Sequence, residues 1–131
     1  MPADRDTAWM RRVLVVDDEP DIVELLTIWL DDDPRCSQVL RANDLDGALA
    51  IATDKQPDIV VLDFCFGHRV STEILPPMRA ACPDALIVVH TASRRAAELS
   101  GVIAAGADAI VEKGEQTIDE VVDGLFVTVR A

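Results

Sequence analysis

No apolar run in this chain approaches the ~18 residues that a membrane-crossing helix needs. The opening segment, residues 1–11, is polar and charged and has no signal-peptide core. A bilayer span and an export signal are therefore not expected, and a cytoplasmic location is. Cysteine is sparse: Cys36, Cys65 and Cys82 fall one to a segment, with no Cys-x-x-Cys spacing. That argues against a disulfide framework or a thiolate metal cluster and for reduced thiols. Positive charge is short as well. Against 24 acidic residues stand 12 basic ones, a formal charge of −12. Such a chain repels nucleic-acid phosphate and anionic membranes, so neither is expected as a direct partner. The plain reading of the acidity is a solvated surface that aids solubility. Repeats, linkers and low-complexity stretches are absent too, which leaves one domain's worth of chain. At 131 residues, half of them apolar, it is long enough to bury roughly 65–70% of its unfolded surface.

What is present is a strict alternation of two periodicities. Short buried-strand runs occur at 12–16, 37–41, 59–62, 86–90 and 108–112, each followed by a stretch with helical spacing of apolar residues. The helices are expected at about 20–30, from 43 or 44 through Ile51-Ala52, and at 71–80, 93–104 and 115–129. Pro20 suits a first turn, Asp31-Asp32-Asp33-Pro34 opposes the end of that helix, and Asn43 or Asp44 caps the next. Pro76-Pro77 is expected to kink the third helix or end it early. Five strands alternating with five helices imply an α/β fold, a parallel sheet with helices on both faces, because parallel strands need crossovers of helix length.

In such a sheet, ligands bind beyond the carboxyl ends of the strands. Asp17 and Asp18, Asp63, Thr91 and Lys113 all fall at expected strand ends. Taken singly each has an ordinary reading: Asp18 as a helix cap, Thr91 as part of a helix N-terminus, Lys113 as a surface lysine. Taken together, carboxylates with a divalent cation, a hydroxyl and an ammonium form a site suited to a phosphoryl group. His90 reads as a packed histidine, and spacing supports no metal site on His68 and His90.

Four segments in this order, Val15-Val16-Asp17-Asp18-Glu19-Pro20, Pro57 to Asp63, His90-Thr91-Ala92 and Gly106-Ala107-Asp108 leading to Lys113, resemble the receiver domain of two-component response regulators. The likeness is to a stand-alone, chemotaxis-regulator-like protein and covers about residues 12–129. It implies a doubly wound, five-stranded parallel sheet of flavodoxin-like (βα)5 type with strand order 2-1-3-4-5. The division expected is a lead-in over 1–11, with Trp9 and Met10 against the body, and a receiver domain over 12–131 with no room for a second domain. The resemblance makes Asp63 the phosphoacceptor, a carboxylate nucleophile. It places one Mg²⁺ on Asp17, Asp18, Asp63 and the backbone carbonyl of Cys65. Thr91 would donate its hydroxyl to the bound phosphoryl group, and Lys113 would pair with Asp63 or with phosphate. The implied partners are a histidine kinase or histidine phosphotransfer protein and an unidentified downstream protein, with homodimerisation left open. The implied activity is a self-phosphorylating and dephosphorylating switch rather than a turnover enzyme. The output surface would carry Arg94, Arg95, Glu98 and Glu115.

The chain departs from the family pattern in four places. Gly114 follows Lys113 where proline is usual, and a cis bond there would cost about 2.5–4 kcal/mol. Ile110 stands where an aromatic residue usually pairs with the threonine, and the chain has no tyrosine to replace it. Gly67 and Ser71 stand where proline and glycine are usual, and Pro76-Pro77 falls within the third helix. These departures keep a second reading in view, a phosphorylation-independent interaction module. An aspartate-nucleophile phosphohydrolase needs a second acid two residues beyond the nucleophile. Cys65 sits there instead, so that activity is not expected.

Overall fold

The computed structural model describes residues 11–63, 65–66, 69–91, 96–112 and 117–130. Its strands are β1 (Arg11–Val16), β2 (Cys36–Ala42), β3 (Ile59–Asp63), β4 (Cys65–Phe66), β5 (Arg69–Val70), β6 (Leu86–Thr91) and β7 (Ala109–Glu112). Its helices are α1 (Pro20–Asp31), α2 (Leu45–Lys55), α3 (Ser71–Ala81), α4 (Ala96–Ala105) and α5 (Ile118–Arg130). Five strands form one parallel sheet in the order β2-β1-β3-β6-β7. Counted along the chain without the small β4–β5 hairpin, that is the expected 2-1-3-4-5.

Alternation along the strands builds two cores. Leu14, Val16, Val60, Leu62, Ile87 and Val89 face α2, α3 and α4, meeting Ala48, Ala52, Ile74, Leu75, Met78 and Val102. Their neighbours Val13, Val15, Ile59, Val61 and Val88 face α1 and α5, meeting Leu26, Leu30, Val121, Val122, Leu125 and Phe126. Strands buried on both faces read as continuous apolar runs, which is why β1, β3 and β6 stand out in the sequence.

Local chemistry sets the helix ends. Pro20 opens α1 at its first turn, and Glu19 is the N-cap residue without a side-chain cap, so the capping reading of Asp18 gives way. Asp44 caps α2 by accepting from the Gly47 N–H at 2.6 Å. A Cβ on Gly47 would stand 2.9 Å from that same carboxylate oxygen, so a side chain there would push the cap aside. Thr117 precedes α5, and its N–H and hydroxyl both donate to Glu120 Oε1, at 3.0 and 2.8 Å. This is one half of a capping box.

Two expectations need correction. Pro76-Pro77 does not end α3, which runs on to Ala81. Both prolines face solvent while Ile74, Leu75 and Met78 are fully buried, so packing of the apolar face outweighs the missing donors. The segment after Asp63, read as loop, contains the antiparallel hairpin β4–β5, pairing Cys65 with Val70 and Phe66 with Arg69. Cys82 follows α3 directly and is buried, its thiol donating to the Met78 carbonyl at 3.2 Å.

Candidate functional site

The carboxyl ends of β1 and β3 lie side by side, with Val16 in register with Leu62. The chain leaves β1 at Asp17 and β3 ends on Asp63, so adjacency in the sheet brings the two carboxylates together although 46 positions separate them. Asp17, Asp18 and Asp63 each present a carboxylate oxygen, all within 4.8 Å of one another. Asp17 and Asp63 are buried, at 3% and 5% exposure, whereas Asp18 is exposed. The Glu19 N–H donates to Asp17 Oδ1 at 2.9 Å and fixes the angle of that carboxylate as the chain turns into α1. Asp17 is further pinned through its own N–H, which donates to the Ala42 carbonyl at the end of β2.

Clustered carboxylates repel one another unless a cation sits among them. Three carboxylate oxygens at this separation, with neither nitrogen nor sulfur donors, match the hard-oxygen preference of Mg²⁺ and leave positions for water or phosphate. The residues present therefore fit a divalent cation, and one exposed member leaves the cluster open to solvent on one side.

Thr91 ends β6 and is buried. It lies one position past His90, the register partner of Asp63, so it stands at the same edge of the sheet as the acidic cluster. His90 itself is buried in the strand, in keeping with a packing role. Ile110, where the family usually carries an aromatic residue, lies in β7, pairs with Val89 of β6 and packs against the α2–α3–α4 core. Cys65 opens the β4–β5 hairpin, two residues after Asp63. Lys113 and Gly114 lie outside the described residues, as do Gly67, His68, Arg94, Arg95 and Glu115.

A groove of about 610 Å³ opens beside the cluster, lined by Asp17, Asp18, Pro20, Val23, Glu24, Arg41, Ala42 and Asn43. Sequence reasoning passed over Arg41 and Asn43 because β2 carries no acidic strand end. The signal was topological: an edge strand next to β1 must deliver its last residues to the same rim.

With the fold and the acidic rim in place, likeness to known proteins can be weighed. Residues 13–123 match the family of the response regulator receiver domain. Among curated relatives, the transcriptional regulatory protein KdpE of Mycobacterium tuberculosis is 35% identical over 104 residues, 79% of this chain and 45% of that protein. A protein-glutamate methylesterase/protein-glutamine glutaminase of Myxococcus xanthus is 31% identical over 108 residues, 81% of this chain and 30% of that protein. The chain thus spans less than half the length of these relatives. Among solved structures, a receiver domain protein (CheY-like) from Methanospirillum hungatei superposes with a TM-score of 0.83 at 19% identity, over 92% of this chain and 94% of that one. A LuxR-family two-component response regulator from Aurantimonas superposes at 0.82 with 25% identity, over 92% and 86%. The family match extends from β1 into α5 and so takes in every strand of the parallel sheet along with the acidic rim. This chain belongs to the response regulator receiver domain family.

Proposed function

We propose that the chain is a phosphoryl-accepting switch in which Asp63 is the nucleophile, with a histidine kinase or histidine phosphotransfer protein as donor. The observation that carries this reading is the approach of Asp17, Asp18 and Asp63 to within 4.8 Å at the carboxyl ends of two central strands. In the transfer, a carboxylate oxygen of Asp63 forms a bond to phosphorus as the donor's bond to phosphorus breaks, the bonding pair leaving with the donor. The product is an acyl phosphate on Asp63. Asp17, Asp18 and Asp63, with the Cys65 carbonyl, would hold Mg²⁺, which when bound offsets the charge on the carboxylate and phosphoryl oxygens. Asp17 is aimed by the Glu19 N–H. Thr91, at the neighbouring strand end, would donate its hydroxyl to a phosphoryl oxygen, and Lys113 would supply the balancing ammonium. The modification adds roughly 1.5–2 negative charges at the rim, and a protein partner reads the result.

The test is incubation with Mg²⁺ and acetyl phosphate or beryllofluoride, followed by intact mass and backbone NMR. The expected outcome is addition of one phosphoryl group, or a shift centred on the rim, that depends on Mg²⁺ and is absent in Asp63→Asn. An Asp63→Asn variant that responds like the wild type sinks the assignment.

One observation favours a second reading. Ile110 is built into the core where the family's aromatic usually moves, so Asp63 chemistry and surface output need not be coupled. If the chain is a phosphorylation-independent interaction module, partner affinity is the same for wild type and Asp63→Asn. A large loss in that variant excludes the module.

A further inference from the structure

The groove beside the acidic rim carries charges of both signs outside the carboxylate cluster. Arg41 of β2 and Glu24 of α1 both line it, together with Asp17 and Asp18. Among the described lining residues Arg41 is the one cation. Its place follows from the sheet. Arg41 pairs with Val15, and the next residue, Ala42, accepts the Asp17 N–H at 3.4 Å. One strand across and two residues along sets the Cα atoms of Arg41 and Asp17 about 8 Å apart. Residues paired across strands share a face. Val15 packs in the core that α1 and α5 cover, so Arg41 lies on the α1 side of the sheet. That is why Pro20, Val23 and Glu24 of α1 complete the groove.

The Arg41 guanidinium forms no ion pair or side-chain hydrogen bond among the described residues, although Asp18 and Glu24 share its groove. Arg41 and Glu24 are both exposed. A charge so placed acts on the rim through its field rather than through contact. At about 8 Å through water, one unit charge changes the affinity of a doubly charged ion by roughly two- to fivefold, the larger figure at low salt. The sign depends on what the rim holds. A guanidinium opposes a divalent cation on Asp17, Asp18 and Asp63, and it favours the negative charge that a phosphoryl group brings. Glu24 acts on both with the opposite sign.

We propose that Arg41, without ligating either, sets the balance of the rim between its metal and its phosphoryl group. It lowers affinity for the divalent cation and raises affinity for the phosphoryl group. This rests on the reading of Asp63 as the phosphoacceptor.

Mg²⁺ is titrated calorimetrically into the full chain at low salt. Beryllofluoride is then titrated into the Mg²⁺-saturated protein and followed by backbone NMR. Arg41→Gln is expected to bind Mg²⁺ about threefold more tightly. It should bind beryllofluoride about twofold more weakly, the smaller effect because Asp63 lies one strand further from β2. Glu24→Gln should move each affinity the other way, Arg41→Lys should keep the wild-type values, and about 0.5 M NaCl should erase the differences. Thermal melts verify that the variants fold. Unchanged Mg²⁺ affinity in Arg41→Gln, or a shift of both ligands in one direction, overturns the proposal. So does an effect that survives high salt or that lysine does not rescue, since either makes Arg41 a contact rather than a field. A wild-type chain that takes up no beryllofluoride refutes the phosphoacceptor reading itself and this proposal with it, whereas the other failures leave that reading standing.

Discussion

Arg35 holds the far end of α1 against α5 by three contacts. Its guanidinium donates to Asp33 at 2.8 Å and to Asp123 at 2.9 Å, and it stacks over the Phe126 ring at 4.9 Å. The hydrogen bond from Arg35 holds the Asp33 carboxyl below its ordinary value. A carboxyl depressed in the folded state contributes stability that is present above its unfolded value, near 3.9, and lost as the pH falls through its folded value. Arg35→Met should therefore flatten the acid limb of the stability–pH curve below about pH 4. Urea midpoints measured across that range check it, and superimposable acid limbs for variant and wild type would refute it. The contacts to Asp123 and Phe126 were not legible in the sequence, since Asp123 lies 88 positions from Arg35. The acidic rim was legible for the opposite reason: parallel topology brings strand ends to one edge, and the resemblance to receiver domains implied an order that sets the two strands leading to Asp17, Asp18 and Asp63 side by side. The Glu19 N–H that aims Asp17 was not, because a backbone donor leaves no mark on residue type. The same holds for Gln56, whose positive φ of 46° and side-chain bonds to the Ala52, Thr53 and Ala81 carbonyls join α2 to α3.

Among the elements, α3 marks the limit of local rules. Proline at 76 and 77 removes the N–H donors that would reach the carbonyls of Thr72 and Glu73, at a cost of about 3 kcal/mol each in an unconstrained helix. The helix persists because Ile74, Leu75, Met78 and Cys82 are buried on one side, and tertiary burial of four side chains outweighs propensity. Since both prolines are exposed, Pro76→Ala or Pro77→Ala should restore a donor without disturbing the core. Each is expected to raise stability by about 1–2 kcal/mol, after allowing for the extra freedom that alanine gives the unfolded chain. Chemical denaturation checks this, and a lowered midpoint would mean that the rings themselves hold α3 in place. The β4–β5 hairpin escaped notice for a different reason. Two residues per strand are too few to display period-2 alternation, so nothing in the sequence separates such a hairpin from a loop. Where the expectation set a bound within the described residues, the longer strands and helices, with complete apolar faces, were readable to within a residue or two apart from the start of α5, which Thr117 precedes.

Across the whole molecule, the charged clamps and the acidic rim sit at opposite ends of the sheet. The acidic rim occupies the carboxyl ends of the strands, while the amino ends are clamped by two charged clusters. At one, the Arg12 N–H donates to Asp58 Oδ2 at 2.9 Å and its guanidinium to the Lys55 carbonyl at 2.7 Å. At the other, Arg79 on α3 donates to the carbonyls of Pro83, Ala85 and Gly106 and to Asp108, which also accepts from the Ile87 N–H at 2.8 Å. Gly106 makes this possible by adopting φ +127° at the end of α4, a conformation that side chains resist. One guanidinium thus joins α3, α4, β6 and β7 where they start or stop. Arg79→Met keeps the aliphatic stem and deletes four donor contacts, several to groups that are partly buried. A loss of about 2–4 kcal/mol is expected, because carbonyls and a carboxylate lose their partner together. Sites this far apart with no shared partners behave additively, so affinity for Mg²⁺ at the proposed site should stay within about twofold of wild type in the folded variant. Urea unfolding with and without Mg²⁺ measures both quantities on one sample. A variant that keeps its stability would show that the clamp is ornamental, and one that loses Mg²⁺ affinity while still folded would show that the two ends of the sheet are mechanically coupled.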